Sequence, residues 1–122
     1  MKKIILVLLF LVSNVLFAQE KNNLVYKVSI YSVEIQIENG KDYLELAKEN
    51  KIQIVTKKIQ PINMSCIGQN LKKGKRSTYK NNSNWTLIVN KEGLKDGKYS
   101  LLVNFRGKKG KLFTHEFLIP IQ

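Results

Sequence analysis

Tyr99, Leu101, Val103 and Phe105 occupy every second position, and so do Phe113, His115, Phe117 and Ile119. Gly107-Lys108-Lys109-Gly110 lies between the two runs, and Pro120 closes the second. Side chains on a strand point alternately to opposite faces, so a period of two lets one face of a sheet be buried. A helix would need apolar residues three and four apart, and no stripe of that kind and useful length follows the first eighteen residues. The chain is therefore expected to bury its core between sheets.

The same period continues upstream. Tyr26, Val28 and Ile30 alternate, and then Tyr31, Val33, Ile35 and Ile37 carry the pattern on the opposite parity. A one-residue slip exchanges the buried and exposed faces, so Ile30-Tyr31 marks either a β-bulge or a boundary between two strands. Asn39-Gly40 suits the positive φ angles of a type I′ hairpin turn, which makes Asp42 to Leu46 the expected returning strand and Ala47 to Asn50 the next turn. Ile52, Ile54 and Thr56 form a further alternating run. Pro61 has no N–H to donate to a ladder, so Ile62 to Ile67 should begin a strand there or lie at an edge. Trp85, Leu87 and Val89 alternate, and Glu92 to Gly97 supplies turn residues.

About seven short strands with turns between them point to a small antiparallel immunoglobulin-like β-sandwich, with a small barrel as the alternative. The expected inward set is Val33, Ile35, Ile54, Met64, Trp85, Leu87, Leu101, Val103, Phe105, Phe117 and Ile119.

Lys2 and Lys3 precede the apolar run Ile4 to Val12, and Leu16-Phe17-Ala18 offers a cleavage site before Gln19. That order describes a secretory signal peptide over residues 1–18. The apolar run is short against the ~20 residues of a spanning helix, so no stable membrane span is expected after cleavage. The expected product is a single domain over residues 19–122, periplasmic or secreted. About a hundred residues suffice for one core.

Formal net charge is +12, or +10 once Lys2 and Lys3 leave with the signal peptide. Arg76 and Arg106 are the only arginines. Bidentate grip on phosphate and direct base readout both favour arginine, so a nucleic-acid partner is not expected. An acidic macromolecule or anionic surface of the cell envelope fits the charge better.

The stretch Gly68-Gln69-Asn70-Leu71-Lys72-Lys73-Gly74-Lys75-Arg76-Ser77-Thr78 looks superficially like a phosphate-binding loop. A P-loop requires four residues between its glycines, then Lys and a hydroxyl residue, ahead of a helix. Here five residues separate Gly68 from Gly74, Arg76 stands where the hydroxyl belongs, and no helical pattern follows. Without a helix N-terminus the anion has nowhere to sit. The stretch is read as a basic inter-strand connection. Its Lys72, Lys73, Lys75, Arg76, Tyr79 and Lys80, together with Lys108 and Lys109, are the candidate partner-binding residues.

No catalytic or metal constellation emerges. Cys66 is the only cysteine and shares its alternating face with Ile62 and Met64, as a buried free thiol would. His115 is the only histidine; neighbouring Glu116 points to the opposite face of a strand and cannot readily orient it. Glu34, Glu38 and Glu116 read as outward-facing strand residues, and Asp42 and Asp96 stand in separate turns, too far apart in sequence for a calcium cluster. No cofactor is expected, and the chain is read as a non-enzyme.

Leu46-Ala47-Lys48-Glu49-Asn50-Lys51-Ile52-Gln53-Ile54, Trp85-Thr86-Leu87-Ile88-Val89, Gly97-Lys98-Tyr99-Ser100-Leu101 and Phe117-Leu118-Ile119-Pro120 carry a family resemblance. The chain resembles the immunoglobulin-like periplasmic repeat domains of the gliding-motility and type IX secretion M component of Bacteroidota, and Phe17-Ala18-Gln19 resembles signal endings of that phylum. The resemblance implies a periplasmic sandwich. It does not carry over a role in secretion or motility, because the chain lacks the family's long array and transmembrane helix. The expected function is non-catalytic binding of an envelope protein or anionic surface component through edge strands and the basic loop. The alternative is a small basic inhibitor or immunity-type protein that blocks an enzyme.

Overall fold

A computed structural model describes residues 24–75 and 81–122. The expected signal helix, and Arg76, Tyr79 and Lys80, lie outside the described residues. Among the described residues there are eight strands: β1 (Val25–Val28), β2 (Tyr31–Ile37), β3 (Glu49–Lys57), β4 (Met64–Gly68), β5 (Lys72–Lys73), β6 (Asn82–Ile88), β7 (Tyr99–Arg106) and β8 (Leu112–Ile119). They build two antiparallel sheets, ordered β1-β2-β3-β6-β5 and β4-β7-β8. A constant-type immunoglobulin domain places strands A, B, E and D in one sheet and C, F and G in the other. Lettering β2 to β8 as A to G reproduces both sheets. β1 is an extra strand folded onto the outer edge of β2.

The phase slip in the sequence is that fold-back. Val28 pairs with Tyr31, leaving Ser29 and Ile30 as a two-residue hairpin turn in which Ser29 adopts a φ of 54°. Of the two readings open at Ile30-Tyr31, the strand boundary is the one the structure shows.

Alternation then determines the core. Val33, Ile35, Ile52, Ile54, Leu87, Leu101, Val103, Phe105, Phe117 and Ile119 are buried between the sheets. Tyr31, Phe105 and Phe113 cluster with ring centroids 5.1–5.7 Å apart. Two expected core members are only half-buried. Met64 lies on the edge strand β4, and Trp85 sits near the two-residue strand β5, which gives little cover. The Trp85 indole N–H donates to the Ser83 hydroxyl at 2.8 Å, so its polar edge has a partner beside water.

The connection after β2 differs from the sequence reading. Asn39 and Gly40 do take the paired positive φ angles, 63° and 70°. No strand returns over Asp42 to Leu46, however, and Asn50 is a strand residue of β3 rather than part of a turn. The nine-residue β3 offers β2 a longer apolar face and takes the pairing, with Ile35 opposite Ile54 and Ile37 opposite Ile52. Leu44 instead crosses the end of the sandwich. Its N–H donates to the Pro120 carbonyl and its carbonyl accepts from the Gln122 N–H, both at 2.9 Å, and its side chain is fully buried. Asn50, also buried, holds this segment with its amide. It accepts from the Glu45 N–H and donates to the carbonyls of Glu45 and Lys48, at 2.9–3.0 Å. A side chain thus satisfies backbone groups that a ladder would otherwise pair.

Among the described residues, the only helical pieces are three-residue 3-10 turns, and no helix is long and apolar enough to cross a membrane.

Candidate functional site

The basic stretch divides on folding. Gly68 ends β4, where its bare Cα faces the Tyr99 ring; an added Cβ would collide with the Tyr99 hydroxyl. That hydroxyl donates to the Gln69 carbonyl at 2.7 Å, and burial pushes its pKa up to about 12. The glycine that resembles half of a phosphate loop is there so that a buried tyrosine can reach the backbone. Gly74 follows the short β5, its N–H donating to the Asn84 carbonyl at 2.7 Å, and the Asn84 side-chain amide donates to the Lys75 carbonyl at 3.1 Å. Lys72, Lys73 and Lys75 are exposed on this edge.

Lys108 and Lys109 lie elsewhere, in the exposed β7–β8 turn at one end of the sandwich. Tyr31 secures this turn: its hydroxyl oxygen accepts from the Lys108 N–H at 2.6 Å. Among the described residues, the expected lysines are therefore divided between a sheet edge and a sandwich end and do not form one patch. Folding brings Lys108 to a cleft with Lys58 and Arg106, two cations the sequence reading left out of the site. Their positions, 50 and two residues from Lys108, give no local signal; the β3–β4 and β7–β8 connections meet only once both sheets have formed.

Among the described residues β4 is an edge strand, paired to β7 alone. An edge presents unpaired backbone donors and acceptors, and proteins ordinarily blunt it with charge or brevity. β1 carries Lys27, β5 is two lysines, and β8 carries Glu116. β4, Met64-Ser65-Cys66-Ile67-Gly68, carries no charge, and no charged residue occurs from Gln60 to Leu71. Ile67 is 60% exposed on it. Patterning predicts a strand over Ile62 to Ile67. The strand instead begins at Met64, because Pro61 opens a three-residue 3-10 turn that leaves Ile62 in solvent and off the face of Met64 and Cys66. The lack of a second neighbour is a property of the fold.

Cys66 stands on the inner side of β4. Burial pushes its thiol up to about 12, against the opposing pull of the nearby Lys73 ammonium. A thiolate is the reactive form. At pH 8 the folded protein should therefore react with a thiol reagent on the order of a thousandfold more slowly than the urea-unfolded chain. Equal rates in the two states would mean the thiol is open to solvent.

His115 stacks on Tyr26 at 4.0 Å and meets Phe117 edge-on at 4.6 Å, closing the seam between β1 and β8. Loss of solvent lowers its pKa, with Glu116 acting in the opposite sense. Glu116 itself accepts from the Ser100 hydroxyl at 2.7 Å and from Lys95, on the outer face. Among the described residues, no three of His, Cys, Asp and Glu converge as metal ligands. A separate cleft of about 640 Å³ lies over the outer face of the larger sheet, where Gln36, Gln53, Asn84 and Lys75 are among its lining residues.

No protein-family model matches the chain, and no curated protein matches it.

Proposed function

We propose that the protein is an exported, non-catalytic binding domain that takes an extended segment of an acidic envelope protein along the free edge of β4. The carrying observation is that β4 alone among the four sheet edges has neither a charge nor extreme shortness to block an added strand. Strand addition draws its affinity from backbone hydrogen bonds, with side chains on alternate positions setting preference. Ile67 would supply an apolar contact on the outer face. Lys72 and Lys73 of β5 lie beside this edge, close enough for the Lys73 charge to act on Cys66, and would favour an acidic segment. Residues 1–18 support export, through the order of positive, apolar and small residues.

Replacing Lys72, Lys73, Lys75 and Arg76 together with Gln is expected to weaken association with the partner cross-linked in intact cells, and to flatten its salt dependence. Unchanged association would remove the basic stretch from the interface. Recovery of an inactive enzyme in a stoichiometric complex would favour the alternative, an inhibitor or immunity-type protein.

A further inference from the structure

The two ends of the sandwich differ in charge. At one end lie the β2–β3 and β6–β7 connections, where Glu38, Asp42, Glu45, Glu92 and Asp96, with Glu49 at the start of β3, nearly balance Lys41, Lys48, Lys91, Lys95 and Lys98. At the other end lie the β1–β2 turn, the β3–β4 connection and the β7–β8 turn. Lys57, Lys58, Arg106, Lys108, Lys109 and Lys111 belong to this end, and no carboxylate of the described residues does: Glu34 and Glu116, the remaining two, sit within strands. None of these six cations makes an ion pair among the described residues; at the opposite end Lys41, Lys48 and Lys95 do, and Lys91 and Lys98 do not. Lys58, Arg106 and Lys108 line a cleft of about 370 Å³ between the connections.

Exposed apolar side chains gather at the same end. Ile30 at the tip of the β1–β2 turn is 50% exposed, Ile62 in the β3–β4 connection is 88% exposed, and Leu112 at the start of β8 is 57% exposed. Single exposed isoleucines need no explanation. Two isoleucines and a leucine, each on a different segment at the one end that has cations and no carboxylates, form a combined pattern. Apolar tips within a collar of Lys and Arg match a bilayer surface, where anionic headgroups lie just outside the acyl boundary.

We infer that this end of the sandwich docks peripherally on an anionic lipid bilayer. Lysines meet headgroup phosphates, the cleft admits one such phosphate between Lys58, Arg106 and Lys108, and Ile62 enters the interface. The inference does not depend on strand addition at β4, which lies along the side of the sandwich.

The test is vesicle co-sedimentation of the chain from Gln19 onward, which carries both sheets, with circular dichroism confirming the fold of each variant. Binding is expected to vesicles of phosphatidylglycerol and phosphatidylcholine in about equal parts, and not to phosphatidylcholine alone. Each cation near an anionic surface is worth about fivefold in partitioning, so Lys58→Gln/Lys108→Gln/Lys109→Gln should lose about a hundredfold. Ile62→Ser should lose about tenfold with an unchanged salt slope. The control Lys91→Gln/Lys98→Gln, at the opposite end, should change partitioning by no more than about twofold. Equal sedimentation with both vesicle types would overturn the inference. So would a control loss matching the triple variant, or an Ile62→Ser variant that binds like the parent, which would indicate a site for soluble polyanions.

Discussion

Phe117→Ala is expected to lower the unfolding free energy by about 3–5 kcal/mol. Phe117 is fully buried on β8, opposite Leu101 of β7, and its ring also supports His115 edge-on. Removing the ring takes away its transfer energy and leaves a cavity that the two sheets can only partly close. That loss is a large share of the total stability of a domain this size. Urea unfolding followed by Trp85 fluorescence measures it, and a shift of less than about 1 kcal/mol would place Phe117 outside the core. Trp85→Ala, followed by circular dichroism, should cost less than Phe117→Ala, because part of the indole is already in water.

The second large effect is at Gly68. An alanine there would drive its Cβ into the Tyr99 hydroxyl. Tyr99 is fully buried and its hydroxyl is tied to the Gln69 carbonyl, so it cannot swing away without breaking that bond. A buried hydroxyl left without a partner costs about 1–3 kcal/mol, and the displaced ring adds strain. Gly68→Ala is therefore expected to cost roughly 2–4 kcal/mol. Tyr99→Phe removes the atom that collides, so Gly68→Ala in that background should cost clearly less. The double-mutant cycle reads the coupling directly. Strict additivity would show that the glycine is needed for some other reason.

These two positions illustrate what local sequence can and cannot convey. Phe117 belongs to a clean run of period two, and such runs located β2, β3, β6, β7 and β8 and most of the buried residues. Gly68 is required by Tyr99, 31 positions later, and no pattern within its own stretch could reveal that. Asn39-Gly40 is a strong hairpin signal and predicts a returning strand that includes Leu44. The turn forms, yet the competing pairing of β3 with β2 and the buried amide of Asn50 decide where the following residues go. Trp85 alternates with Leu87 and shares its face, but burial also depends on what covers the sheet edge, and two residues of β5 cover little.

The candidate site divides in the same way. Lysine runs are visible in one dimension, and Lys72, Lys73, Lys75, Lys108 and Lys109 are all legible in that way. Their separation onto a sheet edge and a sandwich end is a consequence of topology, as is the arrival of Lys58 and Arg106 beside Lys108. The uncharged character of β4 could be read from residues 60–71. Its significance appears only once β4 has a neighbour on one side and none on the other.

The most direct measurement is site-specific photo-crosslinking in intact cells, with the reactive side chain placed at Ile67 on β4 or at Gln53 on the outer face of the larger sheet. The account predicts one discrete adduct from Ile67, mapping to an extended acidic segment of a single envelope protein, and none from Gln53. Adducts from Gln53 with none from Ile67 would contradict it, because the partner would then sit over the cleft of the larger sheet and the free edge would be unused.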